Sequence, residues 1–225
     1  MRRSRGRPPT TRSRRAACSP PSTCGSEEDA LDPLELAGVA LGVLYVVLAI
    51  RENPWCWPVG IGNAVLFLVV NVQARIYSNA GLQAVYVAVS LYGWYEWLHG
   101  GKDHGRLAVS RVPARWLALL AVSAALASVA LGLFLKQRTD AALPFPDAAT
   151  TAFSLAAQWM ATRKWLENWL VWIAVDAAYV PMYASQGRYL MAGLYAAFLV
   201  LAALGFREWR SSMRSREPLP EPGAA

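Results

Sequence analysis

The sequence predicts an all-α integral membrane protein with seven transmembrane helices. Three observations carry that reading. Hydrophobic residues make up 55% of the 225 residues and charged residues only 16%, more apolar surface than one small soluble domain can hide. The apolar residues gather into long blocks, and a bilayer core about 30 Å thick takes roughly 20 helical residues to cross. The sequence also matches itself without gaps at an offset of 112 (169 minus 57): Trp57 falls on Trp169, Val59 on Val171, Ile61 on Ile173, Tyr77 on Tyr189, Gly81 on Gly193, Gly93 on Gly205, Glu96 on Glu208 and Trp97 on Trp209.

Residues 1–33 come first and hold seven Arg, with Ser and Pro but no apolar stretch. They resemble neither a signal peptide nor a packed domain and read as a disordered, solvated basic tail. The net charge of +7 owes its excess largely to this arm and does not mark a nucleic-acid surface. Spans follow at 34–50, 57–72, 79–98, 112–135, 146–162, 165–184 and 188–206, and residues 210–225 form a second tail. The breaks fall where charge and turn residues cluster: Arg51-Glu52-Asn53-Pro54, Arg75, His99 to Arg111, Lys136 to Asp140, Arg163-Lys164 and Ser185-Gln186-Gly187. The blocks are too long for the roughly 10-residue alternating strands of a membrane barrel.

Lys and Arg set the orientation. Arg51, Lys102, Arg106, Arg111, Arg115, Arg163, Lys164, Arg207, Arg210, Arg214 and Arg216 fall on one side, against Arg75, Lys136, Arg138 and Arg188 on the other. The C-terminus is therefore expected in the cytoplasm and, with seven spans, the N-terminus outside. The acidic residues Glu27, Glu28, Asp29 and Asp32, which stand closest to the first span, suit that placement.

The internal match makes spans two and three copies of spans six and seven. The fourth span, whose stretch from Trp116 to Leu135 has Trp116, Ser123 and Ser128 as its polar side chains, reads as a connector inserted between them. Without it the second copy would be inverted; with it the copies run parallel in a three-plus-one-plus-three plan of residues 34–98, 99–145 and 146–209. Such a plan places a solute site between the halves.

Polar residues within spans are costly unless they face a cavity or a partner. Trp169, Trp172, Asp176, Tyr179 and Tyr183 fall within an arc of roughly 80° on the sixth span, an aromatic face with a central carboxylate. Gln83 and Tyr86 lie on one face of the third span with Ser90, Gly93 and Trp97, while Asn63 and Asn71 line the second and Gln158 ends the fifth. Tyr and Trp faces suit flat rings and cations, and Asn, Gln and Asp offer hydrogen bonds. A nucleoside-like vitamin fits such a lining better than a lipid or an inorganic ion. Glu96 and Glu208, beside tryptophans at helix ends, read as interfacial. Cys18, Cys24 and Cys56 form no framework, His99 and His104 sit in a polar loop, and neither a metal site nor a cofactor is expected. No nucleophile with a base marks an enzyme.

The stretch Trp169-x-x-Trp172-x-x-x-Asp176 resembles the WxxWxxxD signature of the PnuC family of vitamin transporters. Leu82-Gln83 through Tyr86 and Leu91-Tyr92-Gly93-Trp94-Tyr95-Glu96-Trp97 are similar to that family's third core helix. The likeness runs from about Leu34 to Trp209. It implies uptake of nicotinamide riboside across an inner membrane by facilitated diffusion, with intracellular phosphorylation trapping the solute, and relatives that carry thiamine or riboflavin. It also implies a homotrimer in membrane lipid and a shape similar to the sugar-transporting SWEET proteins. A membrane ligand sensor is the reading from another class, and flux separates it from a carrier.

Overall fold

The computed structural model describes residues 33–73, 77–139 and 143–216, apart from the side chains of residues 35 and 77–80. The expectations for residues 1–32, with Cys18 and Cys24, for Arg75 and for 217–225 lie outside that set. Seven α-helices are found among the described residues: α1 (Pro33–Ile50), α2 (Cys56–Gln73), α3 (Tyr77–His99), α4 (Ala114–Arg138), α5 (Pro144–Thr162), α6 (Asn168–Ser185) and α7 (Tyr189–Ser215). Each overlays one expected span. By length and composition α2, α4 and α7 are able to cross a membrane, and Leu36–Ile50 within α1 is a shorter apolar segment.

Most helix ends shift by one to three residues from the sequence reading, and the α6 start and the α7 end shift for visible reasons. α6 starts at Asn168 because residues 163–167 form a turn tied to the loop before α4: Ser110 donates to the Lys164 carbonyl at 3.1 Å and Leu166 donates back to Ser110 at 2.9 Å. Val112 N–H adds a bond to the Glu167 carboxylate at 2.8 Å. α7 runs on to Ser215, into the expected tail, because Trp209 is buried and Met213 packs on the same core.

α1 packs on α2 and α7, α2 on α3, α3 on α5, α5 on α4 and α6, and α6 on α7. α4 leans on α5 and turns Leu119, Val122, Leu126, Val129 and Phe134 outward, as a helix solvated by lipid would. The core is a chain of tryptophans: Trp57 meets Trp97 edge-on at 5.4 Å, Trp97 meets Trp209 at 5.8 Å, and Trp209 meets Trp169 edge-on at 5.3 Å.

Residues one offset apart make the same contacts. A Cβ on Gly93 would come within 2.5 Å of the Trp57 ring, and one on Gly205 within 2.7 Å of the Trp169 ring. Only glycine admits either indole. Trp97 Nε1 donates to the Ala161 carbonyl at 2.9 Å and Trp209 Nε1 to the Ala49 carbonyl at 3.0 Å. Each indole therefore adds a second hydrogen bond to a carbonyl near the end of the opposite half's first helix.

Those two helices also stop alike. After α1, Glu52 N–H bonds Ala49 at 3.0 Å and Asn53 N–H bonds Leu48 at 2.9 Å; after α5, Lys164 N–H bonds Ala161 at 3.0 Å and Trp165 N–H bonds Met160 at 3.1 Å. This is the Schellman pattern, which places one residue in the left-handed region and favours glycine there. Here it holds Glu52 (φ 53°) and Lys164 (φ 50°) instead. Their side chains meet, Nζ to Oε2 at 3.1 Å, so the ion pair offsets a backbone cost of about 1 kcal/mol per residue.

Candidate solute site

Two of the cavities among the described residues gather side chains singled out in the sequence. The first, about 210 Å³, is lined by Trp169, Trp172 and Asp176 of α6, Gln158 of α5, Tyr45 of α1 and Phe198 of α7, over a floor that includes Trp97 and Trp209. The second, about 280 Å³, is lined by Asn63 and Phe67 of α2, Gln83, Tyr86 and Ser90 of α3, and again Tyr45 and Gln158. Between them stands one polar contact. Tyr45 Oη and Gln158 face each other, with Nε2 donating to Oη at 3.2 Å and Oη lying 3.4 Å from Oε1. Each space alone is smaller than the roughly 300 to 1,000 Å³ usual for small-molecule sites; joined, they fall within it.

Of the residues singled out in the sequence, Trp169, Trp172, Asp176 and Gln158 share the first cavity, and Asn63, Gln83, Tyr86 and Gln158 the second. Asn71, Tyr179 and Tyr183 line neither. Asn71 Nδ2 returns to its own helix, donating to the Phe67 carbonyl at 2.7 Å. Tyr179 and Tyr183 join Tyr195 in a ring cluster, at 4.4 and 5.2 Å from it, with the Arg188 guanidinium over Tyr183. Tyr45 and Asn168 are lining residues that sequence reasoning missed. Tyr45 is the lone polar side chain in the apolar run of 36–50, a signal that points to it; Asn168 sits at a helix start, where its Nδ2 bonds the Trp165 carbonyl at 2.6 Å.

The lining is largely apolar, with a few polar groups. Asp176 is only 5% exposed. Among the described residues Trp57 Nε1, Trp169 Nε1 and Asn63 Oδ1 are buried without a hydrogen-bond partner; of the three, Trp169 Nε1 is a donor beside one cavity and Asn63 Oδ1 an acceptor beside the other. Buried polar atoms of this kind are costly unless something completes them. No three His, Cys, Asp or Glu side chains among the described residues gather as a metal site.

Beyond the floor the charge is organised. Lys164 sits 4.4 Å over the Trp97 ring while bonded to Glu52, which Arg216 also reaches at 3.4 Å. Burial pushes the Lys164 ammonium below its ordinary value, against the pull of Glu52. Burial pushes the Glu52 carboxyl up, but a Ser212 hydrogen bond with Lys164 and Arg216 outweighs it and holds the group below the usual carboxylate range. Nearby, Arg163 pairs with Glu96 at 3.0 Å. Arg163, Lys164 and Arg216 thus pair with carboxylates where α1, α5 and α7 stop.

A family model described as nicotinamide mononucleotide transporter matches residues 32–211. The chain is 30% identical over 208 residues to the nicotinamide riboside transporter PnuC of Escherichia coli (strain K12), covering 81% of this chain and 87% of that protein. It is 31% identical over 190 residues to the riboflavin/roseoflavin transporter RibM of Streptomyces davaonensis, covering 82% and 89%. Its fold is similar to a crystal structure of the vitamin B3 transporter PnuC, with a TM-score of 0.63 at 19% identity over 82% of this chain and 83% of that one.

Proposed function

Because the chain belongs to the nicotinamide mononucleotide transporter family, we propose that it carries nicotinamide riboside across an inner membrane by facilitated diffusion, with intracellular phosphorylation trapping the solute. The observation that carries this reading is the Trp169, Trp172 and Asp176 cavity, with its free indole N–H. The pyridinium ring sits between the two indoles, where a cation gains from the π faces, and Asp176 supplies the countercharge. The ribose hydroxyls reach toward Asn63, Gln83 and Tyr86 once the Tyr45–Gln158 contact parts.

In this reading α1 to α3 and α5 to α7 are parallel three-helix repeats, with α4 as the connector between residues 99 and 145, in a SWEET-like arrangement. One bundle rocks against the other to alternate access. The C-terminus is cytoplasmic, the N-terminus lies outside, and three copies assemble in membrane lipid with one pathway each. No reaction is catalysed. Affinity common to every state would slow release without speeding transport, so the site binds modestly.

The test is uptake of labelled nicotinamide riboside into proteoliposomes without ATP or an ion gradient. Saturable equilibration supports the reading. Binding without flux would make the protein a sensor. The likeness to RibM favours a second reading, riboflavin transport, and riboflavin flux with no riboside flux would establish it.

A further inference from the structure

At the end of the bundle where α1, α5 and α7 stop, Arg51, Arg106, Lys164 and Arg216 surround a cavity of about 270 Å³ together with Glu52 and Leu107. Four cations against one carboxylate leave the lining at net +3 (4 minus 1). Glu52 is already committed to Lys164 and Arg216. Arg51 and Arg106 make no ion pair among the described residues, although they come from distant parts of the chain and face the same space. Like charges gathered around a concave site raise the local potential for an anion, and guanidinium groups, exposed at Arg51 and Arg106, match the oxygens of a phosphate two at a time. A wider cleft of about 530 Å³ adjoins it, sharing Arg51, Glu52 and Arg106 and adding Trp94 and a Trp55 ring that is 67% exposed. That gives a flat apolar surface beside the anion cradle.

We propose that this cleft is a binding site for a phosphate ester, held by Arg51 and Arg106 and distinct from the solute cavities. The ester comes either from a soluble nucleotide, whose base lies on Trp55, or from an anionic phospholipid headgroup. Its side of the membrane rests on the orientation given above; its existence does not, because binding is read without transport.

The full chain is placed in nanodiscs of neutral phosphatidylcholine and titrated calorimetrically with inorganic phosphate and with adenosine monophosphate. In parallel, native mass spectrometry counts phosphatidylglycerol retained after detergent extraction. The comparison is between wild type, the pair Arg51→Ala with Arg106→Ala, and Arg138→Ala at the other end as control. Nucleotide binding that weakens at least tenfold in the pair and is unchanged in the control assigns the site to a soluble phosphate. Phosphatidylglycerol retention that the pair loses, without nucleotide binding, assigns it to lipid. Should the pair fail to insert, Arg106→Ala alone, in an exposed loop, serves the same comparison. The proposal is overturned if wild type takes up neither, if the arginine variants bind unchanged, or if nucleotide binding is lost in Trp172→Ala and not in them.

Discussion

Trp57 against Gly93 and Trp169 against Gly205 are one contact built twice, yet the side chains facing the cavities have diverged at matching positions. Asn63 stands opposite Val175, Ala64 opposite Asp176, Gly60 opposite Trp172, Tyr86 opposite Phe198, and Ser90 opposite Ala202. The difference separates two jobs. Helix packing is indifferent to which half it joins, so the tryptophan frame serves both. A solute with a ring at one end and hydroxyls at the other has no twofold symmetry, so a symmetric lining would leave some of its polar groups unpaired. The Glu52 and Lys164 pair lies between these cases: identical backbone, opposite charge, and a bond that exists because the halves differ.

That pair offers the largest test. Lys164→Glu sets two carboxylates together in a buried place and is expected to cost about 3 to 5 kcal/mol, seen as a lowered unfolding midpoint in detergent. Adding Glu52→Lys restores most of the loss. No recovery would show that the matching backbone does not make the two positions interchangeable. Gly93→Ala and Gly205→Ala should each cost about 1 to 3 kcal/mol and by similar amounts, as the same thermal assay reads; a one-sided effect would break the equivalence of the frame. The lining should behave oppositely. Asp176→Ala is expected to lower riboside uptake at least about tenfold, about 1.4 kcal/mol, while Ala64→Ser at the matching position leaves uptake within about twofold.

Tyr45→Phe removes the hydrogen bond dividing the cavities, worth about 1 kcal/mol, and should speed equilibration about fivefold if the contact opens in each cycle. The smallest expected effect is of pH. The Glu52 carboxyl is held below its ordinary value in the folded protein, so its contribution is present above the unfolded carboxylate range, near pH 4.3, and is lost as pH falls through the lower folded value. Glu52→Gln should flatten that acid limb of a midpoint-against-pH curve.

Much of this was legible in the residues, for stated reasons. Helices in lipid announce themselves by length, and Trp169, Trp172 and Asp176 lie close along one face. The same helical wheel misled for Tyr183: it shares the arc but stands 14 residues (183 minus 169) beyond Trp169, about 21 Å along the axis, far past the cavity. Asn71 looked like lining because a polar residue in a span demands a partner, and its own backbone supplied one. Tyr45 escaped because its partner lies 113 residues away. The Glu52 and Lys164 contact was hidden because neither turn carries the glycine that normally betrays a left-handed residue.

The crossed indole bonds bear on how the protein is made. The Trp209 bond to the Ala49 carbonyl joins residues 160 positions apart, and at roughly 5 to 20 residues per second the ribosome needs on the order of ten to thirty seconds to supply its donor. Until the last helix enters the bilayer, the early half is an unclasped intermediate. A chain stopped before Trp209 would be inserted but unfinished, and a natural substrate for membrane quality control.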